Sequence, residues 1–139
     1  MKKVLLVLCA ISLTCCASAY VGYRVPPNID VGWIKEDAGH HILKYEHLNL
    51  DYDYQLDRVQ NTLSCDGFID YRQDQISGGF QVVDMLFDVF FVDQYRTILD
   101  FKQFRVSGHQ TTKRNPFERT FELPVGCAGI AFSYSGAVD

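Results

Sequence analysis

The sequence predicts an all-β fold, an antiparallel β-sandwich of about six or seven strands with an immunoglobulin-like layout. Along most of the chain apolar and polar side chains alternate, as in strands that have one buried and one solvated face. Helix breakers or β-branched and aromatic residues occupy every window of helical length, and turn-forming residues recur at fairly regular spacing. Together these observations argue against a helical domain and favour two packed sheets.

Seven segments carry the strand pattern, and a short segment at 29–33 is a further candidate. The clearest alternation lies in residues 48–56, where leucines and tyrosines alternate with Asn, Asp and Gln. Residues 80–92 are the most apolar, so we expect them to form the central strand, buried on one side and half-buried on the other. The remaining predicted strands are 41–46, 63–72, 97–106, 117–123 and 128–134.

The same alternation predicts which side chains form the core. Tyr52 and Tyr54 share a face with the leucines of their strand, so we expect core packing rather than a stacking platform for sugar rings. Turns are expected at 57–61, 93–96 and 124–126, between these strands. The other core residues predicted are Val83, Met85, Phe87, Val89, Phe91, Phe121, Ile130 and Phe132.

Residues 1–19 have the layout of a cleaved secretory signal. Two lysines precede an uncharged apolar run over 4–13, and Ala17, Ser18 and Ala19 form a small-residue cleavage site. The run is shorter than the roughly 20 residues that a bilayer core requires, which disfavours a permanent anchor. Lipidation at Cys15 or Cys16 is also disfavoured, because the residue before each is not the usual Gly, Ala or Ser.

We therefore expect an exported protein, periplasmic or extracellular, whose mature chain begins at Tyr20. Residues 20–40 are predicted to be an irregular lead-in and 41–139 the β-sandwich domain, with no membrane span. Removal of residues 1–19 takes away two of the 13 basic residues and none of the 17 acidic ones, leaving a charge of −6. An acidic chain without a basic cluster argues against a nucleic-acid partner.

Two of the five cysteines, Cys65 and Cys127, remain after removal of the signal. An even number of cysteines in an oxidising compartment predicts one disulfide between them. The strand pattern argues against this disulfide. Cys65 lies on the core face of its strand, whereas Cys127 does not fall in step with the buried positions of the last strand. The pair can meet only if Cys127 belongs to the preceding turn.

A group of histidines and carboxylates is the strongest candidate for metal binding: His40, His41, His47, Asp51 and Asp53. Imidazole and carboxylate are the usual ligands of zinc and copper. A strand, however, places His40 on the opposite face from His41 and His47. We therefore favour exposed strand and loop histidines, and expect neither a metal nor a cofactor.

A helix-loop-helix calcium site beginning at Asp51 is excluded by the residues that follow it. Such a loop requires Gly at its sixth position and Glu at its twelfth, where this chain has Leu56 and Thr62. A non-standard calcium site that uses Asp51, Asp53 and Asp57 is less favoured than a solvated strand face.

No complete catalytic motif is present, so an enzyme is not expected. The chain has neither the Gly-x-Ser-x-Gly elbow of hydrolases nor a His-Glu-x-x-His zinc motif nor a glycine-rich phosphate loop. Two residues are candidates to face a ligand. Trp33 is the single tryptophan, and Arg119 is in phase with the apolar residues of its strand. A rim position is the favoured alternative for Arg119, because an unpaired inward charge is costly.

The stretch 65–134 resembles the small exported bacterial β-sandwiches of the FxLyD type, whose layout is related to late-embryogenesis-abundant domains. The resemblance rests on Gly67, on the apolar run 82–90 and on the turn at Asp93-Gln94. It also rests on 115–119, Asn-Pro-Phe-Glu-Arg, which opens a late strand. It implies a non-catalytic accessory or interaction role in the cell envelope, with a protein partner. A carbohydrate- or small-ligand-binding module is the alternative.

Overall fold

The computed structural model describes residues 19–71, 82–107 and 114–138, and only the backbone at 82–84, 107 and 136–138. Within these ranges the chain is all-β, with eight strands and no helix. The strands are β1 (Gly32–Trp33), β2 (Ala38–Lys44), β3 (Leu48–Asp57), β4 (Thr62–Tyr71), β5 (Val82–Val92), β6 (Ile98–Ser107), β7 (Arg114–Glu122) and β8 (Gly129–Val138). The predicted all-β class is confirmed, and the short candidate strand is present as β1.

The strands form two antiparallel four-stranded sheets. The first sheet has the order β1-β8-β5-β6 and the second has the order β2-β3-β4-β7. The predicted layout therefore holds at the level of two packed antiparallel sheets. The strand order differs from that of an immunoglobulin constant domain, because here β2, β3 and β4 pair consecutively within one sheet.

One aromatic core fills the space between the sheets. The rings of Phe87 and Phe104 stack with centroids 5.2 Å apart, and Phe104 also stacks on Phe117 of the facing sheet at 5.6 Å. Tyr52 and Tyr54 are buried in the same core, as predicted. The predicted residue Val83 lies outside the described side chains. The other predicted members are all buried: Met85, Phe87, Val89, Phe91, Phe121, Ile130 and Phe132.

The segment preceding β1 crosses the outer face of the first sheet and covers part of it. Val25 is buried there with Val92, Ile98 and Ala131 in a second, smaller core. At the start of the described chain, the Tyr20 ring meets Phe90 and Phe101 edge-on, at 5.2 and 5.0 Å between centroids. We call residues 20–31 the strap. The predicted lead-in 20–40 thus contributes the strap, β1 and the first residues of β2.

Arg96 holds the strap in place through three backbone carbonyls. Its guanidinium donates to Val25 O at 3.2 Å, to Pro26 O at 2.7 Å and to Ile29 O. The residue lies in the β5–β6 turn with a φ of 69°. Its backbone carbonyl in turn accepts from Val25 N at 2.9 Å.

Replacing Arg96 with Asn is expected to release the strap while leaving the sandwich folded. Asn tolerates the left-handed backbone but cannot reach the three carbonyls, and hydrogen bonds from a charged donor contribute about 1.5–3 kcal/mol. Urea unfolding should show a loss in this range, with faster hydrogen exchange at Val25 N. The control is Arg58→Asn, which removes an exposed ion pair with Asp37 worth less than about 1 kcal/mol. Unchanged exchange at Val25 N would contradict this role of Arg96.

The predicted signal lies almost wholly outside the described residues, which begin at Ala19. In the part of the chain that the structure covers, no helix has the length and apolar character that a membrane span requires.

The structure does not contain the predicted disulfide, since Cys65 and Cys127 both have free thiols. Cys65 lies opposite Arg119 in the pairing of β4 with β7. It is three residues along β4 from Thr62, where that pairing begins. Cys127 lies beyond that end, in the β7–β8 connection, where its thiol donates to Gly129 O at 3.4 Å. Burial raises the pKa of the Cys65 thiol to about 12, so the folded protein holds it as an unreactive thiol.

Candidate binding face

The outer face of the second sheet carries four ordered rows of side chains, each crossing β2, β3, β4 and β7 in register. Its alternate positions point away from the core, so neighbouring strands place these side chains directly opposite one another. The rows are Ala38–Gln55–Ser64–Thr120, Lys44–Asn49–Asp70–Arg114, Ile42–Asp51–Phe68–Pro116 and His40–Asp53–Asp66–Glu118.

The last of these rows brings three carboxylates side by side. Asp53 lies opposite Asp66, and Asp66 lies opposite Glu118. We call these three residues the acidic row. Neither Asp66 nor Glu118 forms an ion pair or side-chain hydrogen bond with the described part of the chain. Like charges directly opposite in a sheet destabilise it, so the row is a local cost to the fold.

His40, on the edge strand β2, contacts Asp53 of this row and Asp51 of the neighbouring row. Its Nε2 lies 2.9 Å from Asp51 Oδ1 and its Nδ1 lies 2.6 Å from Asp53 Oδ1. A carboxylate only accepts hydrogen bonds, so both contacts form at once only when the ring carries a proton on each nitrogen.

Arg114 and Phe68 form the other side of the site. The guanidinium lies 4.1 Å from the centre of the Phe68 ring and 3.6 Å from carboxylate oxygens of both Asp51 and Asp70. The Phe68 side chain is still 40% exposed. Between these groups lies an open groove of about 330 Å³, the acidic groove, lined by His40, Asp51, Tyr52, Asp53, Asp66, Gly67, Phe68 and Arg114.

The structure separates the histidines that the sequence grouped together. His41 is half-buried on the inner side of β2, where its ring stacks on Tyr54 at 4.7 Å, and His47 lies in the β2–β3 turn beside Tyr134. Within residues 19–71, 82–107 and 114–138, no three His, Cys, Asp or Glu side chains are arranged to hold a metal ion.

His41 ties β1 to β2. Its Nδ1 accepts from the Tyr52 hydroxyl at 3.2 Å, and its ring also bonds to the backbone of Trp33. Burial raises the pKa of Tyr52, which keeps that hydroxyl protonated as a donor. Burial also lowers the pKa of His41, and nearby His40 adds to this effect.

The lowered pKa of His41 predicts a loss of stability in weak acid. The unfolded chain takes up this proton near pH 6.5, whereas the folded chain resists it until lower pH. Stability from His41 is therefore complete above about pH 6.5 and declines as the pH falls below that value. Urea unfolding between about pH 7 and pH 5 should show a smaller decline in His41→Gln than in the wild type. Equal declines would contradict this assignment.

The two candidate ligand-facing residues both have structural contacts. Trp33 is half-buried against the smaller core beneath the strap. Arg119 donates to Arg105 O at 2.9 Å and to Glu118 O at 2.7 Å, and it lies 5.1 Å from the Phe104 ring centre. It thereby joins the edge strands β7 and β6 of the two sheets at the rim.

The acidic groove was missed at the sequence level, although its signal was present. Asp51, Asp53 and Asp66 were each assigned correctly to a solvated strand face. What could have revealed the groove is the pairing of β3 with β4, which the short turn between them favours.

Comparison of the chain with protein-family models, curated proteins and solved structures found no match.

Proposed function

We propose that this chain is a non-catalytic, exported binding module that engages a protein partner through the acidic groove. The observation that carries the proposal is the acidic row, in which Asp66 and Glu118 are opposed and lack a cation within the described chain. A lysine or arginine side chain placed over the row would relieve this repulsion. The partner segment is therefore cationic.

Apolar side chains next to the row favour a peptide over a simple cation. Ile42 is 52% exposed and lies in the neighbouring row with Phe68 and Pro116. An extended segment with basic and apolar side chains two positions apart, and so on the same face, would match the two rows, because successive side chains of a strand point to opposite faces. Charge complementarity of this kind mainly sets partner choice and association rate.

Carbohydrate binding is the second candidate, and the exposed Phe68 ring beside Asp51 and Asp66 favours it. An aromatic face can pack on a sugar ring while carboxylates accept hydrogen bonds from hydroxyls. Arg114 already stacks on the Phe68 ring, which reduces the surface available to a sugar. Trp33, which the sequence offers as a candidate to face a ligand, packs against the smaller core. The peptide is therefore preferred.

The test titrates the protein with a short peptide that repeats Lys-Ser-Leu-Ser, and with a counterpart in which Glu replaces Lys, at about 0.15 M salt. We expect only the basic peptide to bind. The double variant Asp53→Asn/Asp66→Asn should weaken binding by about fivefold or more, since two exposed ion pairs are removed. The matched control is Glu36→Gln/Glu46→Gln, which changes the net charge equally at exposed positions off this face.

Equal weakening in both double variants would mean that net charge alone attracts the peptide, and would overturn the groove as its site. Failure of the basic peptide to bind would overturn the protein-partner proposal. A glycan array decides the second candidate. Glycan binding that is lost in Phe68→Ala, in a protein that does not bind the basic peptide, would replace the first candidate with carbohydrate recognition.

A further inference from the structure

The two sheets have four edge strands, which are β1 and β6 in the first sheet and β2 and β7 in the second. An edge strand presents backbone N–H and C=O groups with which another chain can pair, and proteins protect such edges. β1 has only two residues. Along β7, Pro116 has no N–H group, and Glu118 O accepts from Arg119 Nη1 at 2.7 Å. Both of these edges are therefore poor sites for an added strand.

The edge of β6 is occupied at three positions. Ile98 N donates to a backbone carbonyl of the strap at 2.8 Å, and Ile98 O accepts from a backbone N–H of the strap at 2.9 Å. Phe101 N donates to the Asp100 carboxylate at 2.8 Å. Near the other end of the strand, Arg105 O accepts from the Arg119 guanidinium at 2.9 Å. These contacts leave no continuous stretch of β6 to which a strand could add.

β2 differs because half of its backbone groups point away from the sheet. At one end of its pairing with β3, Tyr45 N donates to Leu48 O at 3.0 Å. At the other end, Leu56 N donates to Asp37 O at 2.6 Å. Bonded and non-bonded pairs alternate along an antiparallel ladder, so the odd-numbered residues of β2 bond to β3. The even-numbered residues therefore direct their N–H and C=O groups outward.

Two of these even-numbered residues, His40 and Ile42, lie in the middle of β2. At the end of the strand, Lys44 N donates to Asp30 Oδ2 at 2.8 Å, which closes that position. Within residues 19–71, 82–107 and 114–138, nothing bonds to the outward N–H or C=O groups of His40 and Ile42. In this part of the chain, β2 is therefore the edge that is open to an added strand.

The side chains of the same two residues begin two rows of the outer face. Residues directly opposite each other in neighbouring strands share a face, so a strand added to β2 would lengthen both rows by one position. Its residue opposite Ile42 would join the row that contains Phe68 and Pro116. Its residue opposite His40 would join the acidic row. An apolar residue and a basic residue, two positions apart, fit these places.

Charge favours a basic segment of another protein over a second copy of this chain. Pairing of β2 with its own copy would bring two acidic rows onto one continuous sheet, and the net charge of −4 on each chain opposes this. A lysine opposite His40 has a stem long enough to direct its ammonium group over that ring. It would approach Asp53, whose side chain is 77% exposed.

We propose that the basic partner segment binds as an added strand, antiparallel to β2, through the backbone groups of His40 and Ile42. The chemistry of the segment rests on the proposed function. What is added is the mode of binding: backbone hydrogen bonds supply affinity, and the side chains that reach the two rows supply selectivity.

The experiment compares two N-methylated forms of the Lys-Ser-Leu-Ser peptide, titrated against the full chain. In an antiparallel added strand, the residues opposite His40 and Ile42 direct their N–H groups toward β2. Methyl groups on the backbone nitrogens of Lys and Leu remove these donors. The same number of methyl groups on the Ser nitrogens point to solvent and serve as the matched control. We expect the first form to bind about tenfold more weakly than the second, or less.

Ile42→Pro closes the same edge from the protein side. Proline removes the outward N–H of this position, and the edge strand β7 of the same sheet accommodates Pro116. Ile42→Ala is the matched control, because it also removes the apolar side chain but keeps the N–H. The unmethylated peptide should bind Ile42→Pro at least about tenfold more weakly than Ile42→Ala.

Equal affinities of the two methylated peptides, or a greater loss in the Ser-methylated form, would overturn strand addition. The proposed function would survive that result, because the basic peptide would still bind. Failure of the unmethylated peptide to bind would overturn both. Dimers that form without peptide and are lost in Ile42→Pro would identify a second copy as the occupant of the edge instead.

Discussion

Replacing Phe87 with Ala should lower the free energy of unfolding by about 3–5 kcal/mol, the range for removal of a buried aromatic side chain. Phe87 is fully buried in the centre of the first sheet, opposite Phe104 on one neighbouring strand and Tyr134 on the other. Its ring stacks on Phe104 and lies 6.1 Å from that of Tyr134. The deletion would therefore leave a cavity that backbone on both sides holds open.

Urea unfolding monitored by circular dichroism measures the change. Phe68→Ala is the matched control, because the same side chain is removed from a half-exposed position, and it should cost less than about 1.5 kcal/mol. A loss below about 1 kcal/mol for Phe87→Ala would contradict its place at the centre of the core.

Gly67→Ala should be comparably damaging, although it adds only one methyl group. A Cβ at this position would lie 2.0 Å from the Asp51 carbonyl oxygen and 2.5 Å from Tyr52 Cα. Both atoms belong to the backbone of β3 and cannot rotate away. The β3–β4 ladder would have to open, so we expect a loss of about 3 kcal/mol or more, at or above the usual range for overpacking.

The control for this variant is Asp66→Ala, one residue away on the outer face. It also places an alanine in β4 but removes a carboxylate from the acidic row, so its stability should stay within about 0.5 kcal/mol of the wild type. If Gly67→Ala unfolded at the same urea concentration as Asp66→Ala, the close approach of β3 and β4 would be contradicted.

The strands could be predicted because alternation is a local property. The alternation within residues 48–56 is enough to predict a strand there. In the structure, β3 is only one residue longer and ends at Asp57. The start of β7 was predicted too late, at Phe117, because Pro116 suggested a loop. β7 is an edge strand, where a residue without an N–H group need not break the ladder.

The candidate site was harder to predict because it depends on pairing between distant segments. Asp53, Asp66 and Glu118 each belong to a solvated face, but only the register of three strands brings them into one row. The pairing of β4 with β7 spans two intervening strands that belong to the other sheet. No local pattern encodes this pairing.

The strap has a consequence for the order in which the molecule assembles. Arg96 and the Val25 carbonyl that it binds are 71 positions apart, so the strap leaves the ribosome well before the hairpin on which it docks. Contacts of such long sequence separation form late, because closing the loop costs entropy before the contacts repay it. The strap therefore docks only once the β5–β6 hairpin has formed.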